Sequence, residues 1–179
     1  GEPFLLALND DGVMRKAISL VIKARTSVLC SWYTFDELDL CEALKASAAR
    51  VDVRMILDRG QQVNAASSNQ NHRVVSVIEA GGKVRMGAST AGRHTVHQKA
   101  LLVDGLVALF GSGNATGHSR DHCYEFGVVC QDVDLVGALS TKLEALWDKG
   151  TPLPLATALE YTDNKERKKA ERRGASQAK

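Results

Sequence analysis

Apolar residues recur every three or four positions in four stretches of the chain, and each stretch is predicted to be a helix packed on a core. The first follows Asn9 and Asp10, two plausible N-caps, and the second follows a capping box made by Thr34 and Glu37. The third ends at the glycine pair 81–82, and the fourth precedes two prolines. In chain order the apolar positions are Val13, Met14, Ala17, Ile18, Val21 and Ile22; Leu38, Cys41, Leu44 and Ala48; Val74, Val77 and Ile78; and Leu135, Leu139, Leu143 and Leu146.

Shorter segments that are β-branched and aromatic, or that alternate apolar with polar residues, lie between these stretches and are predicted to be strands. Two of them, Val96 to Val103 and Leu106 to Phe110, flank Asp104-Gly105, and Asp-Gly between apolar runs is the strongest short hairpin signal. The alternation of helices and strands favours a layered α/β fold. The other predicted strands are Ser27 to Phe35, Val51 to Leu57 and Phe126 to Cys130, with a polar loop from Asp58 to about Asn71.

The composition is that of a folded globular domain. The 179 residues suffice for one domain with its own core, and 44% apolar and 25% charged residues are ordinary values. The wide spacing of Cys30, Cys41, Cys123 and Cys130 favours buried free thiols over disulfides or a zinc site. No apolar run reaches the roughly 18 residues of a spanning helix, and no signal-peptide pattern opens the chain. Because the first residue is Gly1 and not Met, we expect that a leader or anchor could have been removed.

Positive charge is concentrated at the C-terminus. The formal net charge is +2, but residues 163–179 hold seven Lys/Arg against three Asp/Glu, which leaves 16 against 18 in the rest. The body is therefore near −2 and the tail near +4, so affinity for a polyanion would come from a local cleft together with the tail. The alternative is a solvated, partly helical terminus. We predict a folded domain over residues 1–150, then a Pro-containing linker and basic tail over residues 151–179.

One group of residues carries candidate chemistry. His97-Gln98-Lys99 is followed after four residues by Asp104, and after six more by Gly111-Ser112-Gly113-Asn114. Six specified residue types at fixed spacing would arise by chance in a chain of this length on the order of once per million. Residues two apart on a strand project to the same face, so His97 and Lys99 are predicted to share a pocket. The two glycines allow a tight backbone whose N–H groups can point at an anion, and the serine and asparagine add neutral donors, which together suits a phosphate.

This spacing resembles the HxKx4Dx6GSxN signature of the phospholipase D superfamily, with every defining position filled. The resemblance extends over the order of elements across most of residues 1 to 150. It implies a catalytic domain built as a mixed β-sheet flanked by helices on both faces. It also implies phosphodiesterase chemistry without a metal or other cofactor, in which one histidine attacks phosphorus and a second protonates the leaving oxygen and later activates water. His97 would be the nucleophile, and since the chain holds one copy of the motif, the second histidine must come from a symmetry mate, which predicts a homodimer.

The resemblance also assigns roles around His97. Lys99 and its neutral neighbours would stabilise a five-coordinate phosphorane. Glu125 resembles a carboxylate that orients a catalytic imidazole, although an ordinary exposed acid at a strand end is the alternative. Asp104 is mainly architectural in the family, as expected of the first residue of a hairpin turn. The candidate catalytic residues are His97, Lys99, Asn114, Ser112, Glu125 and Asp104, and the candidate substrate-binding residues are Gly111, Gly113, Arg93 and His94.

Several residues have simpler interpretations. Arg93 and His94 could line the mouth of the pocket or belong to a solvated loop, and the other histidines are expected to be ordinary surface or core residues. His118, Asp121 and His122 form the only short cluster of potential metal ligands, on a predicted loop, so no metal site is predicted. The aromatic residues Trp32, Tyr33 and Phe35 end the first strand, where core packing is favoured over base stacking.

The function best matching these features is that of a compact nuclease acting on DNA or RNA, preferably single-stranded and with little sequence preference. Arg59, Lys83, Arg85, Arg93 or the basic tail could hold flanking phosphates. A phospholipase acting on cardiolipin or phosphatidyl groups is the alternative, because the same histidine pair cleaves any phosphodiester. An inactive nucleic-acid-binding scaffold is disfavoured because the motif is intact. Intracellular, mitochondrial and periplasmic locations are all compatible with the sequence.

Overall fold

The computed structural model of the chain describes residues 5–65, 68–87 and 94–177, which form eight strands, six α-helices and a π-helix. The strands are β1 (Leu5–Asn9), β2 (Ser27–Trp32), β3 (Asp52–Asp58), β4 (Lys83–Gly87), β5 (Ala100–Val103), β6 (Val107–Gly111), β7 (Phe126–Cys130) and β8 (Thr151–Pro152). The α-helices are α1 (Asp11–Ile22), α2 (Leu38–Ala48), α3 (Ser68–Glu79), α4 (Gly117–His122), α5 (Val133–Lys149) and α6 (Leu155–Gln177), and the π-helix is Gln61–Ala65.

All eight strands belong to one mixed sheet in the order β1-β7-β6-β5-β2-β3-β4-β8. β2, β3 and β4 run parallel, and every other neighbouring pair is antiparallel. The register sets Ser31 opposite Ala100, Ala100 opposite Phe110, and Gly111 opposite Gly127. The end of β2, the start of β5, the end of β6 and the start of β7 therefore meet at one edge, which we call the upper edge. The β5–β6 turn lies at the opposite, lower edge.

Helices cover both faces of this sheet and create two cores. On one face α1, α2, α3 and α6 pack on the sheet around residues such as Val28, while on the other α5 packs its Leu143 and Trp147 against Leu29. Neighbouring residues of β2 thus face opposite cores, as the two-residue period of a strand requires. The predicted α/β fold, a mixed sheet with helices on both faces, is confirmed.

The boundaries of some elements differ from the predictions. The hairpin strand expected from Val96 begins only at Ala100, because the Val96 N–H donates to the side chain of Asp58 and not to a neighbouring strand. The capping box is wrong: α2 is capped by Glu37, whose carboxylate accepts from the Leu40 N–H at 2.7 Å. The predicted polar loop holds the π-helix and the first turn of α3. β1 and β4 were not predicted; β1 lacks alternation, while β4 alternates polar with apolar residues over only four positions.

The C-terminal residues pack against the domain. Directly after β8, the Leu153 N–H donates to the Val84 carbonyl at 2.9 Å. Further along the chain, in α6, Lys165 Nζ lies 2.9 Å from Asn71 Oδ1 in the first turn of α3. α6 therefore runs antiparallel to α3, from the lower towards the upper edge. The division of the chain at residue 150 stays a prediction. No helix in the described part of the chain is both long and apolar enough to cross a membrane.

Candidate active site

The upper edge of the sheet gathers residues that are distant in sequence. His97 and Lys99 come just before β5, Ser112 and Asn114 follow β6, and Glu125 comes just before β7. Because β5, β6 and β7 are antiparallel neighbours, the beginning of one strand lies beside the end of the next. The sheet register alone thus brings the predicted catalytic residues to one end of the molecule, with Asp104 as the exception.

His97 and Lys99 are in direct contact. Lys99 Nζ lies 2.9 Å from Nδ1 and 3.2 Å from Nε2 of His97. An ammonium group donates only to an unprotonated ring nitrogen, so this contact requires a neutral imidazole, and attack on phosphorus requires a neutral imidazole as well. The ring of Tyr33 packs against this pair, 4.9 Å from the His97 ring between centroids and 5.9 Å from Lys99 Nζ. The imidazole is otherwise exposed, so a substrate can reach it.

The charge on Lys99 is partly withdrawn from water. Burial lowers the pKa of its ammonium group, and the nearby negative charge of Glu125 opposes this shift. A cation in such a position interacts with a phosphate more strongly than a fully solvated one, because less water screens the attraction. The arrangement therefore suits electrostatic stabilisation of an anion beside His97.

Glu125 is held by two serines. Its carboxylate accepts from Ser112 Oγ and from Ser119 Oγ, each at 2.5 Å. The Phe126 N–H donates to Ser112 Oγ at 3.0 Å, and the Asn114 N–H donates to Ser119 Oγ at 3.1 Å. Ser112 of the motif thus holds the Glu125 carboxylate, and Ser119 connects that carboxylate to the backbone N–H of Asn114. Among the hydrogen bonds of the described residues, none joins Glu125 to His97.

Asn114 leaves one polar atom without a partner. Its Oδ1 is buried and makes no hydrogen bond within the described residues. The side chain borders a small cavity of about 20 Å³, which is room for about one water molecule, together with Lys99, Arg120 and Glu125. The guanidinium of Arg120 already donates to Glu37, the buried cap of α2. A polar group of a ligand or a water would complete the bonding of the asparagine amide.

The two glycines of the motif have different surroundings. A Cβ at Gly111 would lie 2.0 Å from the Phe126 carbonyl oxygen, so only glycine permits the close approach of β7. The N–H groups of Gly111 and Ser112 donate to the carbonyls of Lys99 and Phe126, so they are directed into the sheet and not at an anion. Gly113 faces the Glu125 side chain with space to spare, and its place in phosphate binding stays a prediction.

Asp104 lies at the lower edge, far from the other motif residues. It has φ 56° and Gly105 has φ 65°, the two left-handed conformations of a type I′ turn, which the Leu106 N–H closes by donating to the Val103 carbonyl at 3.0 Å. The carboxylate accepts from the backbone N–H groups of Arg25, Thr26 and Ser27 at 2.8 to 3.1 Å. Burial opposes its ionisation, but these backbone donors outweigh burial and the pKa of Asp104 is lowered. These contacts agree with the architectural role expected of it.

Sequence reasoning missed three residues that support His97. The Asp58 carboxylate is buried at the end of β3 and accepts from the Val96 N–H and the Gln61 N–H, each at 2.9 Å. Gln61 Nε2 in turn donates to the Tyr33 hydroxyl at 2.7 Å. Tyr33 was expected in the core beside Trp32 and Phe35, which are indeed buried, but it is only half-buried. An acidic residue at the end of an apolar strand could have indicated Asp58. Nothing in the sequence indicated that Tyr33 contacts His97.

The remaining candidate residues are scattered. His94 is exposed, Arg93 lies outside the described residues, and His118 and His122 lie on α4, where a loop was predicted. In the described ranges no three His, Cys, Asp or Glu side chains gather as potential metal ligands. The cysteines are free thiols, three of them buried, as predicted; burial raises the pKa of Cys30 to about 12.

The basic residues expected to hold flanking phosphates are also separated. Arg59 follows β3 at the upper edge and is exposed. Lys83 starts β4 at the lower edge, where it pairs with Asp52 at 3.0 Å. Arg85 stacks on the Trp147 ring, 4.5 Å from its centroid, under α5. Of these three side chains, only Arg59 shares the upper edge with His97.

Comparison with known proteins agrees with this geometry. A family model described as "Cardiolipin synthase, PLD-like domain" matches residues 17–147. Among solved structures the fold is similar to that of Nuc, a phospholipase D family member from Salmonella typhimurium, at 21% identity and a TM-score of 0.77, covering 86% of this chain and 99% of Nuc. It is also similar to NucT from Helicobacter pylori, at 19% identity and a TM-score of 0.72, covering 85% of this chain and 100% of NucT.

A more distant similarity involves a DNA-binding protein. TrmBL2, an archaeal chromatin protein with a novel mode of DNA binding, shares the fold at 15% identity and a TM-score of 0.58, over 83% of this chain and 54% of TrmBL2. The comparison with curated proteins gives no match. At these identities the solved structures establish the fold alone, and the family model covers most of the chain.

Proposed function

Because the chain belongs to the family of phospholipase D-like domains, we propose that it is an endonuclease that cleaves DNA or RNA, preferably single-stranded. The observation that carries the proposal is the contact of Lys99 Nζ with the His97 ring at 2.9 Å, next to the unpartnered amide oxygen of Asn114. A nucleophile, a fixed cation and a neutral polar group at one exposed edge are what phosphodiester cleavage requires.

The proposed reaction has two displacements at phosphorus. An unprotonated nitrogen of His97 attacks, a P–N bond forms, and the P–O bond to the leaving nucleoside breaks as that oxygen takes a proton from a second histidine. The second histidine then removes a proton from water, whose oxygen attacks phosphorus and releases His97. Lys99 and Asn114 stabilise the charge on the five-coordinate phosphorus, and Ser112 acts by holding Glu125. No step uses a metal ion.

Three features support nucleic acid as the substrate. The chain resembles the compact bacterial nucleases, and it covers nearly the whole of the single-domain structures Nuc and NucT. TrmBL2, which shares the fold, binds DNA. A pocket that holds only a phosphate, as Lys99 and Asn114 would, does not discriminate among bases, which fits low sequence preference.

The second histidine is proposed to come from another copy of the chain. Glu125 lies between Tyr124, which is 100% exposed, and Phe126, which is 54% exposed, and aromatic side chains are enriched in protein interfaces. A two-fold contact over this pair would bring the imidazole of the second copy near the Glu125 carboxylate. We expect a dimer by light scattering.

Mixing the subunits tests the shared site. His97→Ala subunits exchanged with wild-type subunits would leave each mixed dimer with one histidine at its site. Activity is therefore expected to fall with the square of the wild-type fraction. A linear fall would mean that each chain works alone and would rule out the shared site.

The function is tested by incubating labelled single-stranded DNA, single-stranded RNA and duplexes with wild-type and His97→Ala protein in EDTA. Cleavage by the wild type and none by the variant is expected, with both equally folded by circular dichroism. Activity lost in EDTA and restored by a divalent ion would contradict the metal-free mechanism.

A phospholipase is the second candidate, because the matching family model is described as a cardiolipin synthase domain. Cardiolipin vesicles in the same assay separate the two functions. Release of lipid products with no cleavage of any nucleic acid would replace the nuclease by the phospholipase.

A further inference from the structure

The face of α6 that packs on the domain changes character along its length. Its first part is apolar or uncharged: Ala158 is fully buried, Tyr161 packs on the core, and Thr162 is 6% exposed. Positions spaced three and four residues apart lie on one side of a helix, so this face continues through Lys165. Lys165 Nζ donates to the Gln62 carbonyl of the π-helix at 2.9 Å.

Beyond Lys165 the same face is basic. Lys168, Lys169, Arg172 and Arg173 follow Lys165 at three, four, seven and eight residues, which is the spacing of a single helix face. Burial, together with the positive charge of Lys168, lowers the pKa of Lys165 to about 8, which agrees with the two ammonium groups being close. We call Lys168, Lys169, Arg172 and Arg173 the basic stripe.

The basic stripe projects past the upper edge of the sheet. Lys165 contacts Asn71 in the first turn of α3, and α6 runs upward, so residues 166–177 continue past the start of α3. At 1.5 Å per residue this segment extends about 18 Å. Residues 166–176 are each exposed, and within the described part of the chain no side chain of the stripe forms an ion pair.

The stripe begins beside the segment that supports His97. The Gln62 that Lys165 contacts is adjacent to Gln61, which holds Tyr33 against the imidazole. Residues 166–177 contain five Lys/Arg and two Glu, a net charge of +3, although the body of the molecule is near −2. Glu171 lies outside the stripe, while Glu166, seven residues before Arg173, lies at its margin and bonds to His72 of α3. The centre of this face is therefore cationic, with one carboxylate at its margin.

We propose that the basic stripe binds the backbone of the nucleic acid substrate, several nucleotides away from the phosphate at Lys99. This inference rests on the proposed nuclease function and adds the path of the strand, which would pass from the active site over the π-helix to α6. Charge complementarity selects a polyanion as the occupant, because the stripe offers four cations and no apolar residue. A strand too short to reach α6 would bind through the active site alone.

The test is a pair of matched variants in a His97→Ala background that prevents cleavage. Lys168→Gln/Arg172→Gln removes one lysine and one arginine of the stripe. Arg167→Gln/Lys142→Gln removes the same two residue types from the outer side of α6 and from α5, both exposed. Glutamine keeps helix propensity near that of lysine and arginine, and circular dichroism checks that α6 is retained.

Binding of labelled single strands of increasing length is then measured by fluorescence anisotropy over a range of salt concentrations. For the wild-type stripe and the control, affinity is expected to rise once the strand is long enough to reach α6. The stripe variant is expected to lose this rise, and the slope of log affinity against log salt should shrink by about 1.4, two contacts at about 0.7 each.

The contrary outcomes are distinguishable. Equal affinities of the two variants for long strands would overturn the proposed role of the stripe. The nuclease proposal would still stand if protein with an intact His97 cleaves nucleic acid. If the stripe variant lost binding to anionic vesicles but bound strands as the control does, the stripe would be assigned to a membrane surface. A protein that neither cleaves nor binds any nucleic acid would overturn the stripe and the proposed function together.

Discussion

The two ends of the β5–β6 hairpin carry residues of one sequence motif in opposite surroundings. At the lower end the Asp104 carboxylate accepts three backbone N–H groups and the Thr26 hydroxyl. At the upper end Asn114 has a buried oxygen without a partner in the described residues, and Lys99 is partly withdrawn from water beside an exposed imidazole. The polar groups of the lower end are satisfied within the chain, while the upper end leaves an acceptor to be satisfied by a ligand or a water.

The contrast shows that residues of one motif are not equivalent. Polar groups that form hydrogen bonds within the chain contribute to its stability. Polar groups without such a partner beside a cavity are available to bind a ligand. Substitution of Lys99 at the upper end should therefore reduce activity with little loss of stability, and substitution of Asp104 at the lower end should do the reverse. The following tests are ordered by the expected loss of activity.

Lys99→Gln should have the largest effect after removal of His97 itself. Loss of an aimed charge next to the developing phosphorane should reduce kcat by about 10²- to 10³-fold, with the melting temperature nearly unchanged. Because burial lowers the pKa of Lys99, wild-type activity should also fall at a lower pH than an ordinary lysine would permit. Steady-state rates against pH check both points. A variant with near-wild-type kcat would remove Lys99 from the mechanism.

Asp58→Asn should come next, because it tests positioning at the upper end. The Val96 N–H and the Gln61 N–H donate to different oxygens of the carboxylate, and an amide keeps only one acceptor oxygen, so one of the two bonds is lost. A lost bond to a charged group costs about 1.5 to 3 kcal/mol, and we expect about a tenfold loss of kcat from a displaced His97 as well as lower stability. The pH–rate profile separates the roles: a purely structural residue would lower stability and leave the profile unchanged.

Tyr33→Phe should have a smaller effect. It keeps the ring against His97 but removes the hydrogen bond from Gln61. A hydrogen bond of about 1 kcal/mol corresponds to at most about a fivefold change in kcat. Tyr33→Leu, which also removes the ring, should lower kcat further. Equal rates for the two variants would mean that the ring does not position the imidazole.

Asp104→Asn should leave kcat nearly unchanged and lower the stability by about 1 to 3 kcal/mol, since it weakens the bonds to three backbone N–H groups. The lowered pKa of Asp104 sets the sign of the pH dependence. Its contribution is present above the pKa of the unfolded chain, about 3.9, and is lost as pH falls through the folded value. Denaturant unfolding should therefore show a smaller difference between the two proteins in acid. A constant difference would contradict this assignment.

Local patterns were sufficient for much of the fold and for the centre of the site. The period of Val13, Ala17 and Val21 specifies the buried face of α1, and the Asp-Gly pair specifies the hairpin turn, because each depends on residues only a few positions apart. The motif spacing predicted in the same way that His97 and Lys99 lie together, and the two side chains are in contact; their catalytic roles stay a prediction. The prediction of the α2 cap failed because threonine is a preferred N-cap and glutamate is not, and the contact that holds Glu37 at the cap comes from Arg120, far along the chain.

Contacts between distant segments required the tertiary structure. Asp58 reaches Val96, and Tyr33 reaches His97, only because strand order and register bring β2, β3 and β5 to a common edge. Register between strands is decided by packing over the whole sheet, and no short window of sequence contains it. The charge of the C-terminal residues was visible in the sequence. The direction in which these residues extend was not visible, because it is the packing of α6 on α3 that leads α6 towards the upper edge.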